Sequence, residues 1–332
     1  MSFIEDEIER LRQMCIACGK CSRGCPSLKH GGLDPLEVMM GSDEGLETCI
    51  GCGTCSQICH RTDPATVMRD IICLQQGIHV SQAFHDTGYT TVPQDVPSRA
   101  ELVPEWTGDD IDVMPGCIVE CRAPFIKYAA SIALKSMGLK ARELPDNTCC
   151  MHPIMFREMH ETERRAYKAR MGASAGGKPI LTLCAGCSDE LAGSGIDAEH
   201  IIPLLHRNIG SLPRFDKPLK VAVEPGCSAM PMKKEMVAVV KAMGCESVGK
   251  GMGCCGKNVS VSVPLMEERE EECADADLIV VGCPMCFIKY DSQPGGKPVV
   301  HIAELVAMAA GDSKSLRYHS IPFGMQRPNR IM

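Results

Sequence analysis

Aromatic side chains are scarce in this 332-residue sequence: one Trp, five Tyr and seven Phe, 4% in all. Val, Ile, Leu, Met and Ala must therefore fill its cores, with the 21 methionines as adaptable filler. Basic excess is also lacking. The formal net charge is -7, whereas a nucleic-acid surface normally shows as a cationic domain or stripe, so no nucleic-acid partner is expected. No stretch reaches the roughly 18 apolar residues of a membrane span; runs such as Leu278–Val281 are strand-length. The acidic start, Met1 to Cys15, has no basic region followed by an apolar run, which predicts no export signal. A cytoplasmic protein is expected, or one held at a membrane only through a partner. No flavin or nicotinamide fingerprint is visible in the sequence.

What is abundant is cysteine, with 22 residues. In a reducing compartment structural disulfides are rare, and metal or redox chemistry explains such a count better. Cys15, Cys18, Cys21 and Cys25 form C-x2-C-x2-C-x3-C before Pro26, and Cys49, Cys52, Cys55 and Cys59 repeat it before His60. This is bacterial two-cluster ferredoxin spacing, in which the fourth thiolate of each run ligates the other cluster. It predicts one [4Fe–4S] cubane on Cys15, Cys18, Cys21 and Cys59, and a second on Cys49, Cys52, Cys55 and Cys25. Zinc also takes four thiolates, but usually as two separated C-x2-C pairs. Two cubanes make a one-electron conduit and do no bond chemistry alone.

The texture changes along the chain. Residues 1–85 read as short helices joined by cysteine-rich loops, and 86–110 as a linker rich in Pro, Thr and acidic residues. Beyond it strands are expected at Ile111–Met114, Pro179–Leu183, Leu219–Val223 and Leu278–Val281. Helices are expected at Pro124–Gly138, Met155–Gly172, Met232–Gly244, Leu265–Asp275 and Ile302–Ala310. The order strand, cysteine, helix, cysteine pair, helix, strand, C-x2-C occurs twice, over 111–213 and 214–320, before a tail at 321–332. The expected fold class is α+β and multidomain: a helical dicluster ferredoxin domain, then two duplicated small α/β, Rossmann-like domains with parallel strands. Cys117, Cys184, Cys227 and Cys283 each follow a strand and should gather on the carboxyl edge of their sheets.

Each repeat carries five motif cysteines: Cys117, Cys149, Cys150, Cys184 and Cys187 in the first, Cys227, Cys254, Cys255, Cys283 and Cys286 in the second. Five thiols are one more than a cubane needs. Adjacent cysteines point poorly at one tetrahedral ion but can bind different irons of a larger assembly. The stretches PGCIVECRAP, TLCAGC, EPGCSA, GCCGKN, VGCPMCFIKYD and HIAELVAMAAG resemble the CCG cysteine-rich domain family, specifically the catalytic subunit of heterodisulfide reductase. The first 85 residues resemble its small electron-transfer subunit, here in the same polypeptide. The resemblance implies a noncubane [4Fe–4S] cluster on each five-cysteine set, the two facing each other across the disulfide of coenzyme M and coenzyme B. It further implies an anaerobic, methanogenesis-type enzyme that reduces this heterodisulfide to two thiols, within a hetero-oligomer supplied by a flavoprotein or a membrane cytochrome. Two departures stand out. The first set reads Cys149-Cys150-Met151 rather than CCG. The second repeat has 26 and 27 residues between its ligands where the first has 31 and 33.

His152, after the first vicinal pair, is a candidate proton donor or a neighbour packed on the cluster. Arg122, Lys127, Lys257 and Lys289 lie near ligands and are candidates to meet the sulfonate, phosphate and carboxylates of the two coenzymes; each is otherwise a surface charge. Cys73, Cys245 and Cys273 read as small buried hydrophobes, and Cys121 as the same or as a spare ligand. Two other functions fit the same cluster content. One is the iron–sulfur electron-transfer subunit of a 2-hydroxy-acid or glycerol-phosphate oxidoreductase. The other is a non-catalytic redox relay in a larger methanogenic complex.

Overall fold

A computed structural model describes residues 3–76, 82–90, 93, 96–151, 161–249, 251, 254–256, 260–293 and 296–321. His152, Lys257 and most of the tail lie outside them. The chain divides into two compact units. One comprises residues 1–80 with 254–269; the other holds nearly all the rest. No helix among the described residues is long and apolar enough to cross a membrane.

The first unit is helical. Helix Phe3–Gln13 buries Ile4, Ile8 and Leu11 and packs on helix Pro64–Gln76, joining Val38, Met39, Leu46, Val67 and Met68 in one core. Around this core the two cysteine runs repeat in detail. Ala17 and Gly51, between the first two cysteines of each run, both take left-handed backbone, with φ 52 and 62. Ser22 and Ser56, after each third cysteine, donate to Asp34 and Asp63. These aspartates in turn cap the helices beginning at Pro35 and Pro64, accepting from Leu36 N–H at 2.8 Å and Thr66 N–H at 3.1 Å. A capping carboxylate satisfies a helix-end donor that would otherwise be orphaned. The repeats differ after the fourth cysteine. Pro26 starts the short helix Pro26–Lys29, whereas no helix starts at His60, as expected where the residue preset for a first helical turn is missing.

The second unit contains two four-stranded, wholly parallel sheets. Strands β1 (Ile111–Met114), β2 (Ala141–Glu143), β3 (Ile180–Thr182) and β4 (Ala198–His200) lie in the order β2-β1-β3-β4. Strands β5 (Lys220–Glu224), β6 (Glu246–Val248), β7 (Leu278–Val281) and β8 (Val299–His301) lie in the order β6-β5-β7-β8. The alternating fold read from the sequence is therefore present twice. Four edge strands of three residues join those expected, being too short to show a period. Each strand order reverses between its two central strands, and the crevice at their carboxyl ends is where such sheets bind ligands. The long helix between the first two strands of each repeat packs against the helix after the last strand of the other: Pro124–Ser136 against Ile302–Ala309, and Lys233–Ala242 against Ile201–Arg207.

A buried ion pair anchors helix Ile302–Ala309. Glu304 accepts from the His301 N–H at 2.9 Å in a capping box and lies 2.9 Å from His319 Nε2. Burial alone would lower the His319 pKa, but Glu304 outweighs it and the net shift is upward. Burial likewise opposes the charge on Glu304, and His319 with its hydrogen bonds brings the carboxyl below its ordinary range. The raised histidine stabilises the fold fully below its unfolded value near pH 6.5, and that contribution is lost as pH rises through the folded value. The lowered carboxyl contributes above its unfolded value near 4.5 and is lost on acidification. Thermal stability should therefore fall from pH 6 toward pH 9 in wild type and lose this alkaline slope in His319→Gln. A calorimetric pH series checks it, and an unchanged slope in the variant would contradict the pairing.

Candidate iron–sulfur centres

In the first unit the eight motif thiols surround two cavities. One is lined by Cys15, Cys18, Cys21 and Cys59, with Ile16, Leu36 and Met39. The other is lined by Cys25, Cys49, Cys52 and Cys55, with Ile50, Leu33 and Met68. Each draws three cysteines from one run and the fourth from the other. The protonated thiols disfavour ionisation here: burial raises Cys21 and Cys25, and burial with nearby Cys52 and Cys49 raises Cys55. Cys52 differs, lowered to about 6 chiefly by a hydrogen bond from the thiol of Cys254. Four soft thiols around an apolar-walled hollow fit an iron–sulfur cluster, which neutralises their charge and replaces their protons. Among the described residues no three His, Cys, Asp or Glu side chains converge as ligands of a single ion; the thiols line hollows instead.

The Cys254 contact belongs to a satellite core of the same unit. Ile50, Cys254, Val261 and Leu265 are buried together, with Cys52 against them. Nearby, Glu268 pairs with Lys29 and with His30 Nε2, the latter at 3.1 Å. This non-local packing has no signature in the sequence.

In the second unit the five thiols of the first set form one chain of contacts. The Cys149 thiol donates to Cys117 Sγ at 4.0 Å. Cys149 also meets Cys150, Cys150 meets Cys187, and Cys187 donates to Cys184. Accepting from Cys149 lowers Cys117, and accepting from Cys187 and Cys283 holds Cys184 well below the usual thiol range. Donating to Cys184 pushes Cys283 up to about 12, against a hydrogen bond with Cys286. Cys184 of the first repeat thus meets Cys283 of the second, each just beyond the carboxyl end of a central strand. Gly116, at φ +87, leaves room for these thiols: a Cβ there would lie 3.1 Å from Cys187 Sγ. Cys227 sits beside Ser228, Sγ to Oγ 4.0 Å, and Ser228 Oγ would lie 3.9 Å from a Cβ on Gly186, inside the first C-x2-C.

The missing glycine of the first vicinal pair has a local answer. Met151 takes the left-handed backbone, φ 61, that Gly256 takes at φ 77 after the second pair. Each donates its N–H to the sulfur two residues back, Met151 to Cys149 and Gly256 to Cys254, both at 3.4 Å. Methionine holds this turn at a cost of roughly 1–2 kcal/mol, offset by complete burial of its side chain.

Sequence reasoning missed the part played by residues assigned to the linker. Gly88 O accepts from Cys149 N–H at 2.8 Å, and Thr90 Oγ1 donates to Cys117 Sγ at 3.4 Å. Tyr89, whose hydroxyl lies 3.3 Å from the Asn147 carbonyl, has its pKa raised by burial beside Glu120 and Glu143. Of the candidate cations, Lys127 is occupied by Glu120 at 2.7 Å and Glu143 at 3.0 Å, Arg122 is exposed and Lys289 half-buried. Cys73, Cys121, Cys245 and Cys273 are all buried.

Comparison with known proteins agrees with this composition. Residues 7–60 match the 4Fe-4S dicluster domain and residues 111–192 the CCG cysteine-rich domain. The chain is 26% identical over 269 residues to a subunit of the ferredoxin/F420H2-dependent CoB-CoM heterodisulfide reductase of Methanosarcina acetivorans, covering 61% of this chain and 90% of that protein. It is 25% identical over 264 residues to the corresponding subunit of the ferredoxin:CoB-CoM heterodisulfide reductase of Methanosarcina mazei, covering 60% and 88%. It is also 22% identical to a subunit of the fumarate reductase (CoM/CoB) of Methanothermobacter marburgensis, over 90% of this chain and 72% of that protein.

Proposed function

We propose, for a chain that carries a 4Fe-4S dicluster domain and a CCG cysteine-rich domain, that it reduces the coenzyme M–coenzyme B heterodisulfide to two thiols. One cubane would be held by Cys15, Cys18, Cys21 and Cys59, and the other by Cys25, Cys49, Cys52 and Cys55. The noncubane clusters would be held by Cys117, Cys149, Cys150, Cys184 and Cys187, and by Cys227, Cys254, Cys255, Cys283 and Cys286, the second set resting on the sequence repeat. When bound, the clusters supply single electrons and a soft metal site for sulfur. The balance is one S–S bond broken, two electrons taken up from a donor subunit, and two protons from solvent or side chains, giving two S–H groups.

The observation that carries this reading is the meeting of Cys184 and Cys283 at the carboxyl edges of the two repeats. Two cysteine-rich repeats that meet there can act on the two sulfurs of one disulfide; a plain wire needs no such pairing. Gly116 keeps the approach to these thiols free of a side chain. Gly88 and Thr90 hold Cys149 and Cys117 by hydrogen bonds. Met151 and Gly256 turn the chain so that their N–H groups hold the Cys149 and Cys254 sulfurs.

A second reading has its own support. The fumarate reductase relative aligns with 90% of this chain, and its name couples the same two coenzymes to a different acceptor. The present chain would then run in reverse, oxidising the two thiols to the disulfide and passing electrons out through the cubanes.

Anaerobically purified protein should contain about 16 irons per chain. Coenzyme M added under oxidising conditions should produce a new paramagnetic signal from a thiol-bound cluster. About eight irons, or cubane signals indifferent to thiols, would sink the catalytic reading and leave a relay. Reduction of the cubanes on adding both thiols would favour the reverse direction.

A further inference from the structure

Two histidines occupy the same place in the two repeats. His200 ends β4 and His301 ends β8, and both are buried, with 1% and 0% exposure. Each caps the helix after it: His200 Nδ1 accepts from Ile202 N–H and His301 Nδ1 from Ala303 N–H, both at 3.3 Å. Burial keeps both rings neutral, first of all by desolvation. With Nδ1 accepting, the ring proton of each must sit on Nε2. Neither Nε2 has a hydrogen-bond partner, although the ring centroids lie only 6.4 Å apart. An unpaired buried donor costs about 1–3 kcal/mol, and here the cost is borne twice, at matching positions.

The main chain nearest these orphaned donors is informative. The main chain of Leu183 and of Gly282 lies close enough to both imidazoles to favour their protonated forms, without closing a hydrogen bond onto either Nε2. Leu183 immediately precedes Cys184, and Gly282 precedes Cys283, the two thiols that meet across the repeats. The two rings therefore lie near the residues that lead into the two facing C-x2-C turns.

We propose that His200 and His301 are positioning residues: with clusters bound, the Leu183 and Gly282 carbonyls close onto the two Nε2–H groups, and the histidine pair fixes the spacing of Cys184 and Cys283. This deepens the reading of those cysteines as ligands of two facing clusters and rests on it. The histidines touch no substrate; they act through the turns.

Two substitutions separate the two ends of each ring. His200→Asn and His301→Asn keep a cap acceptor near the Nδ1 position, since Asn is a good N-cap, but lack the distal donor. His200→Gln and His301→Gln keep a distal N–H and lose the cap. Hydrogen exchange of the iron-loaded protein reads both effects, because Ser188 N–H is held by the Cys184 carbonyl and Phe287 N–H by the Cys283 carbonyl. The Asn variants should exchange several-fold faster across 183–188 and 282–287, with the helices starting at Ile201 and Ile302 protected as in wild type. Their spin–spin coupling between the two paramagnetic clusters should also change. The Gln variants should show the reverse pattern, frayed helix starts with protected turns. Unchanged turn exchange in the Asn variants, or the same fraying in Asn and Gln variants, overturns the proposal while full wild-type iron keeps the cluster reading intact. Wild-type protein holding only cubane iron would instead overturn the cluster reading, and with it the loaded-state closure.

Discussion

Cys184→Ser is expected to abolish turnover and remove the iron of the first five-cysteine set, taking the chain from about 16 irons to about 12 or fewer. Two neighbours, Cys187 and Cys283, donate to this sulfur, and it is the thiol of its set held well below the usual range. It is thus the sulfur best prepared to bind metal as thiolate. Serine is nearly isosteric, so packing changes little, but its hydroxyl resists ionisation and is a hard donor where iron–sulfur clusters select soft thiolates. Because Cys184 also meets Cys283 of the other repeat, coenzyme M should no longer evoke its paramagnetic signal. Cys121→Ser is the control. Cys121 is fully buried and lies outside the vicinal-pair and C-x2-C motifs, and its variant should keep full iron. Iron analysis and electron paramagnetic resonance of the two proteins decide the matter; a Cys184→Ser protein with about 16 irons would remove this residue from the ligand set.

The sequence disclosed most where chemistry demands a fixed spacing, and least where contacts are non-local. The paired cysteine runs are legible because thiolates wrapping a cube need short, regular gaps. The alternation of strands and helices is legible because β1, β3, β5 and β7 are central strands with apolar runs. Their edge partners, such as Ala141–Glu143 and Glu246–Val248, have two polar residues in only three positions and leave no period to detect. The Ser22–Asp34 and Ser56–Asp63 bonds were readable in principle, since Cys-Ser and Asp-Pro recur in both runs, though at different separations. Met151 shows a limit of motif reading: the departure from CCG is real in sequence yet absent from the backbone, where methionine takes the glycine conformation. Gly88 and Thr90 lay in a stretch without pattern, and only folding brings them to Cys149 and Cys117. The capping histidines were visible as residues, but nothing in one dimension pairs them.

The same non-local packing bears on the proposed route of electrons, and Leu265→Ala should interrupt it. Leu265 is 1% exposed and packs with Ile50, Cys254 and Val261 against Cys52. This small core sets Cys254 against Cys52 and Ile50, which line the cavity of Cys25, Cys49, Cys52 and Cys55. Losing a buried leucine side chain costs about 2–5 kcal/mol where the site cannot collapse. The cost falls on a patch separate from the main core of the helical unit, so the cysteine runs should still take up their cubanes. What should fail is the handover. In stopped-flow mixing of pre-reduced protein with the heterodisulfide, the cubanes should reoxidise several-fold more slowly than in wild type, with their own spectra unchanged. Ile50→Val, expected to cost about 0.5–1.5 kcal/mol, should give a graded, smaller slowing. The surface pair is the contrasting case. Lys29 is 58% exposed in its pair with Glu268, and such pairs contribute at most about 1 kcal/mol, so Lys29→Ala should leave the rate near wild type. Equal rates for Leu265→Ala and wild type would mean that electrons leave the dicluster unit elsewhere than through the Cys52–Cys254 contact.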